Sequence, residues 1–188
     1  FDELHSNLAS DIEIIDFQSK LILPGFVDTH LHYSQTDIIA SYGKQLLEWL
    51  ESYAFPREGK FSDPQYAEEV ADFFLKELCQ NGTTTAQVMA TVHQQSADIL
   101  FQKAAELNLR MITGKVLMDR NAPDYLLDTP QKGYDESMAL INRWHEVGRL
   151  SYAVTPRFAI TSTPEQLDRV SDLMKSRSNL YLHTHLSE

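Results

Sequence analysis

Cysteine is almost missing from this chain: Cys79 is the only one in 188 residues. An intramolecular disulfide is therefore excluded, and a reducing, cytoplasmic setting fits. In Phe74-Leu75-Lys76-Glu77-Leu78-Cys79 the thiol reads as a small buried hydrophobe rather than a nucleophile. Positive charge is scarce too. Lys and Arg number 16 against 27 Asp and Glu, a formal charge of -11. That balance argues against a polyanionic partner such as nucleic acid and leaves a small neutral ligand open. Long hydrophobic runs are lacking: no stretch approaches the ~20 residues of a membrane helix, and no signal-peptide pattern opens the chain. A starting methionine is lacking as well. Phe1 opens the sequence, so a trimmed chain or a piece of a longer one is expected.

What is present is ordinary apolar content, 43% of residues, enough for a packed core. Residues 11–23 alternate around Ile12 and Ile14, break at Gln18-Ser19-Lys20 and resume with Leu21-Ile22-Leu23, which predicts a hairpin or two short strands. Pro24-Gly25 marks a turn, and a strand follows over 26–32. Leu46-Leu47-Glu48-Trp49-Leu50 reads as a short apolar helix within an irregular stretch. Asp63-Pro64 opens a helix with Tyr66, Val70, Phe73, Phe74 and Leu78 inward, and Asn81-Gly82 closes it. Further helices are expected at 95–107 (Ile99, Leu100, Ala104 and Leu107 inward) and 135–147 (Met138, Ile141, Trp144 and Val147 inward). Another follows Thr163, with Gln166 reaching back to complete a capping box and Leu167, Val170 and Met174 inward.

Strands starting near 26, 83, 111, 150 and 180 alternate with these helices, the pattern of a parallel sheet with helical crossovers. Such a sheet is either open and doubly wound or closed as a barrel. No Gly-rich phosphate loop follows the first strand, which counts against a dinucleotide fold. Functional residue types at several strand ends favour the barrel mouth.

Those residue types are mainly histidines. In Asp28-Thr29-His30-Leu31-His32, His30 and His32 project to the same side of a strand, about 7 Å apart along the backbone, so their rings can converge on one ion. Two solvated histidines at a strand end would look the same. The chain closes on a second such string, His183-Thr184-His185-Leu186-Ser187-Glu188, with a carboxylate three residues beyond its last histidine. His5 and His145 read as solvated. His93, after the second strand, is a candidate pocket residue.

Pro24-Gly25-Phe26-Val27-Asp28-Thr29-His30-Leu31-His32 resembles the opening signature of the amidohydrolase superfamily, in which the first barrel strand ends in a metal-binding His-x-His. Leu47-Glu48-Trp49-Leu50, Gly82-Thr83-Thr84-Thr85, Thr155-Pro156-Arg157-Phe158 and His185-Leu186-Ser187-Glu188 are similar to the guanine deaminase branch, and the likeness runs through most of 20–188. The resemblance implies an α/β fold: a partial (β/α)8 TIM-type barrel of about five βα units over 25–188, preceded over 1–24 by part of a small β-sandwich domain.

It also implies a reaction, guanine and water to xanthine and ammonia, in which water activated by Zn²⁺ (or Fe²⁺) adds to C2 of the purine. By this resemblance His30, His32 and His185 match metal ligands and Glu188 the proton shuttle. Gln35, Arg157 and Phe158 match the purine-holding residues, and Trp49 a lid. Blander readings stand beside these: a surface arginine with a core phenylalanine at 157–158, and core packing for Trp49. Asp28 either orients the neighbouring backbone or a ligand histidine, or is simply solvated. His183 shares a strand face with His185, and the family's spacing to glutamate selects His185. The cysteine-ligated zinc deaminases need a Pro-Cys-x-x-Cys signature, which one cysteine cannot supply.

The family's site holds a further histidine and an aspartate on later strands, and five strands cannot close an eight-stranded barrel. The chain is thus expected to be part of a longer enzyme, inactive or nearly so alone, with an exposed apolar edge at its fifth strand. The resemblance further implies a homodimeric enzyme acting on a small purine, and the charge and hydropathy above point to no nucleic-acid or membrane contact. Alternatives are another amidohydrolase, such as a triazine chlorohydrolase or a different nucleobase deaminase, and a non-catalytic metal-binding fragment.

Overall fold

The computed structural model describes residues 9, 11–43 and 45–186. Its strands are β1 (Phe26–His32), β2 (Thr83–Met89), β3 (Arg110–Gly114), β4 (Val116–Leu117), β5 (Leu150–Pro156) and β6 (Tyr181–Leu182). Every pairing is parallel. β3 and β4 are separated only by Lys115 and both pair with β5, so they serve as one strand. Spatial order then follows chain order from β1 to β6. A doubly wound sheet reverses its order at a switch point, and this one never does. The result is a curled, open, five-stranded parallel half-barrel.

Helices fill the crossovers. After β1 come a 3-10 turn (Tyr33–Ile38), then α1 (Leu46–Trp49), a π turn (Leu50–Ala54) and α2 (Phe55–Gly59). The apolar segment expected at 46–50 is thus the start of a longer helical arm. α3 (Pro64–Gln80), α4 (Gln94–Glu106), α5 (Pro130–Trp144) and α6 (Pro164–Ser176) follow. Asp63, Thr129 and Thr163 each accept a backbone N–H from the first turn, and each precedes a proline. Such a cap contributes about 1 kcal/mol, and proline costs nothing where its missing N–H has no partner anyway. α5 was expected from 135, but Thr129-Pro130 is a start signal of the same kind, and the helix begins there. At the far end of α3, Gly82 takes φ +81, the left-handed cap that Asn81-Gly82 predicts. The capping box at Thr163 is only half formed. Gln166 accepts from Ser162 Oγ (2.7 Å), while the Thr163 N–H donates to Asp119 (2.8 Å).

One core lies between the sheet and the helices. It joins Ala67, Ala71, Phe74 and Leu75 of α3 to Leu100, Phe101 and Ala104 of α4, then to Leu140 and Ile141 of α5 and Leu173 of α6. The small alanines let α3 and α4 approach the strands closely. Several expected inward residues fall off this stripe. Phe73 (53% exposed) faces an open groove beside β1, Leu107 and Val147 lie past the ends of their helices, and Leu167 is on the rim of α6. Cys79 is exposed, not buried, because it sits on the outer side of the last turn of α3. His145 is not simply solvated: Nδ1 accepts from the Tyr152 N–H (3.1 Å) and Nε2 donates to the Ser178 carbonyl (3.0 Å), pinning α5 to β5. Lys115 is fully buried, with Asp128 and Glu136 as counter-charges.

A second apolar cluster caps the C-terminal ends of the strands: Leu50, Ala54 and Phe55 from the helical arm meet Met89, Val92, Val116, Met118 and Phe158. It is the floor on which the site is built.

Residues 11–25 form no strand, contrary to the expected hairpin. Ile12, Ile14, Leu21 and Leu23 are exposed. Alternation makes a strand only where a neighbour completes the ladder, and among the described residues nothing pairs with this segment. No separate β-domain is seen there. The edge strands carry exposed apolar side chains, Phe26 and Val27 on β1 and Tyr181 and Leu182 on β6, as an incomplete barrel would predict.

Candidate metal and purine site

The C-terminal ends of β1, β5 and β6 bring the singled-out residues together. His30 and His32 end β1, Arg157 and Phe158 follow β5, and His183 and His185 follow β6. The β1–β2 register shifts between Asp28 and Leu31, an irregularity of the kind that re-aims side chains beside functional sites. Asp28 accepts the His30 N–H (3.1 Å), so it orients the backbone there.

The ligating nitrogens of His30, His32 and His185 lie within 4.8 Å of one another. His32 Nε2 is 3.3 Å from His30 Nε2 and 3.0 Å from His185 Nε2. Two nitrogens each about 2.0–2.1 Å from a tetrahedral ion lie roughly 3.3 Å apart, so both separations from His32 suit ligands that share one ion. Burial, then the positive charge of Arg157, then the neighbouring imidazoles hold His32 well below its usual pKa. A metal binds only the neutral ring.

For His185 the outer partner fixes which ring nitrogen is bare. His185 Nδ1 donates to the Arg157 carbonyl (2.8 Å), leaving Nε2 free of hydrogen. His30 Nδ1 lies 2.9 Å from His183 Nε2. If His30 donates, its own Nε2 is bare and turned toward His32. The reverse assignment would put a hydrogen on His30 Nε2 and forbid ligation. His183 is buried, and burial, then the charge of His30 and of His185, push its pKa down to about 4. It faces His30 from behind instead of joining the three. Its Nδ1 has no hydrogen-bond partner among the described residues.

A cavity of about 220 Å³ is lined by His30, His32, Gln35, Leu46, Trp49, Leu50, Arg157, Phe158 and His185. All the expected purine-holding residues therefore share one space with the three histidines. Phe158 is buried, its ring edge-on to His185 at 6.5 Å. Arg157 is no surface arginine: it is 3% exposed and bound through Nη1 to both carboxylate oxygens of Glu58 (2.8 and 2.7 Å). Sequence reasoning missed Glu58, since a lone glutamate on a short helix reads as solvated. Two expectations fall elsewhere. Glu188 lies outside the described residues. His93 precedes α4 near Lys115 and Asp128 and does not line this cavity.

Comparison with known proteins agrees with this geometry. The amidohydrolase family pattern matches residues 21–188. Guanine deaminase of Escherichia coli (strain K12) is 55% identical over 177 residues, covering 94% of this chain and 40% of the relative. A solved structure of E. coli guanine deaminase superposes with a TM-score of 0.96 at 52% identity, covering 100% of this chain and 43% of that one. Guanine deaminase from C. acetobutylicum, solved with guanine bound in its active site, gives 0.89 at 34% identity, covering 97% and 45%. A triazine hydrolase from Arthrobacter aurescens gives 0.76 at 21% identity, covering 88% and 41%, a likeness of fold alone. The chain thus spans about two-fifths of the length of the relatives it matches. No helix among the described residues is long and apolar enough to cross a membrane. By its strand-end histidines, its half-barrel and its sequence, the chain belongs to the amidohydrolase family.

Proposed function

We propose that this protein hydrolyses guanine to xanthine and ammonia with a bound metal ion. Residues 25–188 would be the first part of a (β/α)8 barrel, and 1–24 part of a small β-domain. The observation that carries the reading is the convergence of three imidazole nitrogens on the cavity that also holds Gln35, Arg157 and Phe158. Similarity to guanine deaminases far exceeds that to the triazine hydrolase.

His30, His32 and His185 would hold the ion, Zn²⁺ or else Fe²⁺, since neutral imidazole suits both. When bound, such an ion brings the pKa of a water near neutrality. The protein's own groups do the rest. Gln35 offers an amide donor and acceptor to a purine edge. Arg157 donates to the purine's carbonyl oxygen, Phe158 lies against the ring, and Trp49 closes over it. Glu188 would take one proton from the attacking water and give it to the ring nitrogen, then take the second from the new C2 hydroxyl and give it to the departing amine, so that the C2 carbonyl forms as the C–N bond breaks. We carry over the homodimer and the cytoplasmic setting on the same footing.

The test is a substrate panel on the zinc-loaded protein carrying this chain, following guanine loss, xanthine formation and ammonia release. Guanine is expected to be turned over fastest, with one ammonia per xanthine. Preference for a chlorotriazine or another nucleobase would overturn the choice of substrate. Glu188→Gln is expected to abolish turnover while leaving the metal bound; an unaffected rate would remove Glu188 from the mechanism.

A further inference from the structure

The Arg157–Glu58 pair is a buried ion pair at the mouth of the half-barrel. Glu58 is fully buried and Arg157 nearly so. Both bonds run to one nitrogen, Nη1, at 2.8 and 2.7 Å, so Glu58 does not engage Nε or Nη2. The guanidinium also lies over the Phe55 ring at 5.5 Å. Glu58 and Phe55 are both on α2, while Arg157 follows β5, 99 residues away in sequence. The helical arm therefore both packs on the strand ends and reaches Arg157.

Stability alone is a poor reason for such a pair. Withdrawing two charges from water is costly, and packed apolar residues of the same size often serve as well or better. Arg157 sits where the cost could be repaid by function. Arg157 lines the 220 Å³ cavity, and its carbonyl accepts from His185 Nδ1 (2.8 Å). An unheld arginine has several rotamers and would sweep its donors across the cavity. Clamped at Nη1 from one side and stacked on Phe55 from another, the guanidinium presents its remaining N–H groups in one direction.

We propose that Glu58 is a positioning residue for purine recognition: it fixes Arg157 so that the protein prefers a purine bearing a carbonyl oxygen at C6. The inference rests on the guanine reading above. 2-Aminopurine separates the effects, because it keeps the amino group at C2 and lacks the C6 oxygen.

The experiment uses the metal-saturated protein carrying this chain. KM and kcat are measured for guanine, and the inhibition or turnover constant for 2-aminopurine, in wild type, Glu58→Gln and Glu58→Asp. Hydrogen bonds to charged groups set the expected scale. Glu58→Gln should raise KM for guanine by about 10- to 100-fold, with a much smaller change in kcat and in the 2-aminopurine constant. Glu58→Asp keeps the charge, shortens the reach by one methylene and should fall between. It also preserves the test if Gln at this position prevents folding. Equal losses for both purines would make Glu58 merely structural and overturn the proposal, as would an unchanged KM for guanine in both variants. A wild type inactive on guanine would overturn the guanine reading itself, and this inference with it; the two failures are thus told apart by which row of the data fails.

Discussion

The two His-x-His strings look interchangeable in sequence and are not so in the fold. His30-Leu31-His32 lies within β1, and both rings turn to the same point. His183-Thr184-His185 lies just past the two-residue strand β6, and its rings divide the work. His185 joins the first pair at 3.0 Å from His32, while His183 sits behind His30 at 2.9 Å. The lesson is that shared spacing settles which side of a strand two residues occupy. It does not settle whether each meets the ion or a neighbour's back.

The sharpest way to break this comparison is to remove the nitrogen common to both contacts. His32 is within reach of both His30 and His185. His32→Ala is expected to lower zinc affinity by well over 100-fold, more than the loss of an outer partner produces. The readout is zinc affinity by competition with a chromophoric chelator. Because the ion binds the folded state, the rise in Tm on adding zinc should vanish in the variant. A Tm rise equal to that of wild type would show that the three histidines are not the metal's cradle.

The next prediction separates the roles of the second string. His183→Phe keeps the bulk and removes the acceptor for His30 Nδ1. Zinc affinity should fall about 10- to 100-fold, the usual cost of losing an outer-shell partner. His183→Gln, whose amide oxygen can take that hydrogen bond, should recover most of the loss. If His183 were itself a ligand, Gln would do no better than Phe, and the loss would match that of His32→Ala.

Most of the half-barrel was legible because periodicity and start signals are local. Asp63-Pro64, Gly82 and the five strand starts needed only their own neighbourhoods. The reading failed where an outcome depended on a distant surface. Residues 11–23 have the alternation of strands but no partner among the described residues. Phe73 has helical spacing to Tyr66 and Val70 yet faces the groove beside β1. In the site, His30 and His32 were legible by spacing, and His185, Gln35, Arg157 and Phe158 by resemblance. Glu58 was not, because its meaning lies in a contact 99 residues away. Nor was the backing role of His183, which depends on β1 and β6 standing at the two edges of one curled sheet.

Smaller changes test how each string is held. Asp28 accepts the His30 N–H at 3.1 Å in an exposed position. Asp28→Ala removes an ordinary hydrogen bond of about 0.5–1.5 kcal/mol, and about 2- to 10-fold in zinc affinity is expected if all of it reaches the ligand. Thr184 is the corresponding local support in the second string, and it is weaker. Its hydroxyl reaches the Arg157 carbonyl at 3.3 Å, while the backbone N–H and Nδ1 of His185 already donate to that same oxygen at 3.0 and 2.8 Å. Thr184→Val keeps the shape and should change zinc affinity by less than about twofold, because no donor then goes unsatisfied in the site. A larger effect for Thr184→Val than for Asp28→Ala would mean that the second string depends on its hydroxyl and not on the Arg157 carbonyl.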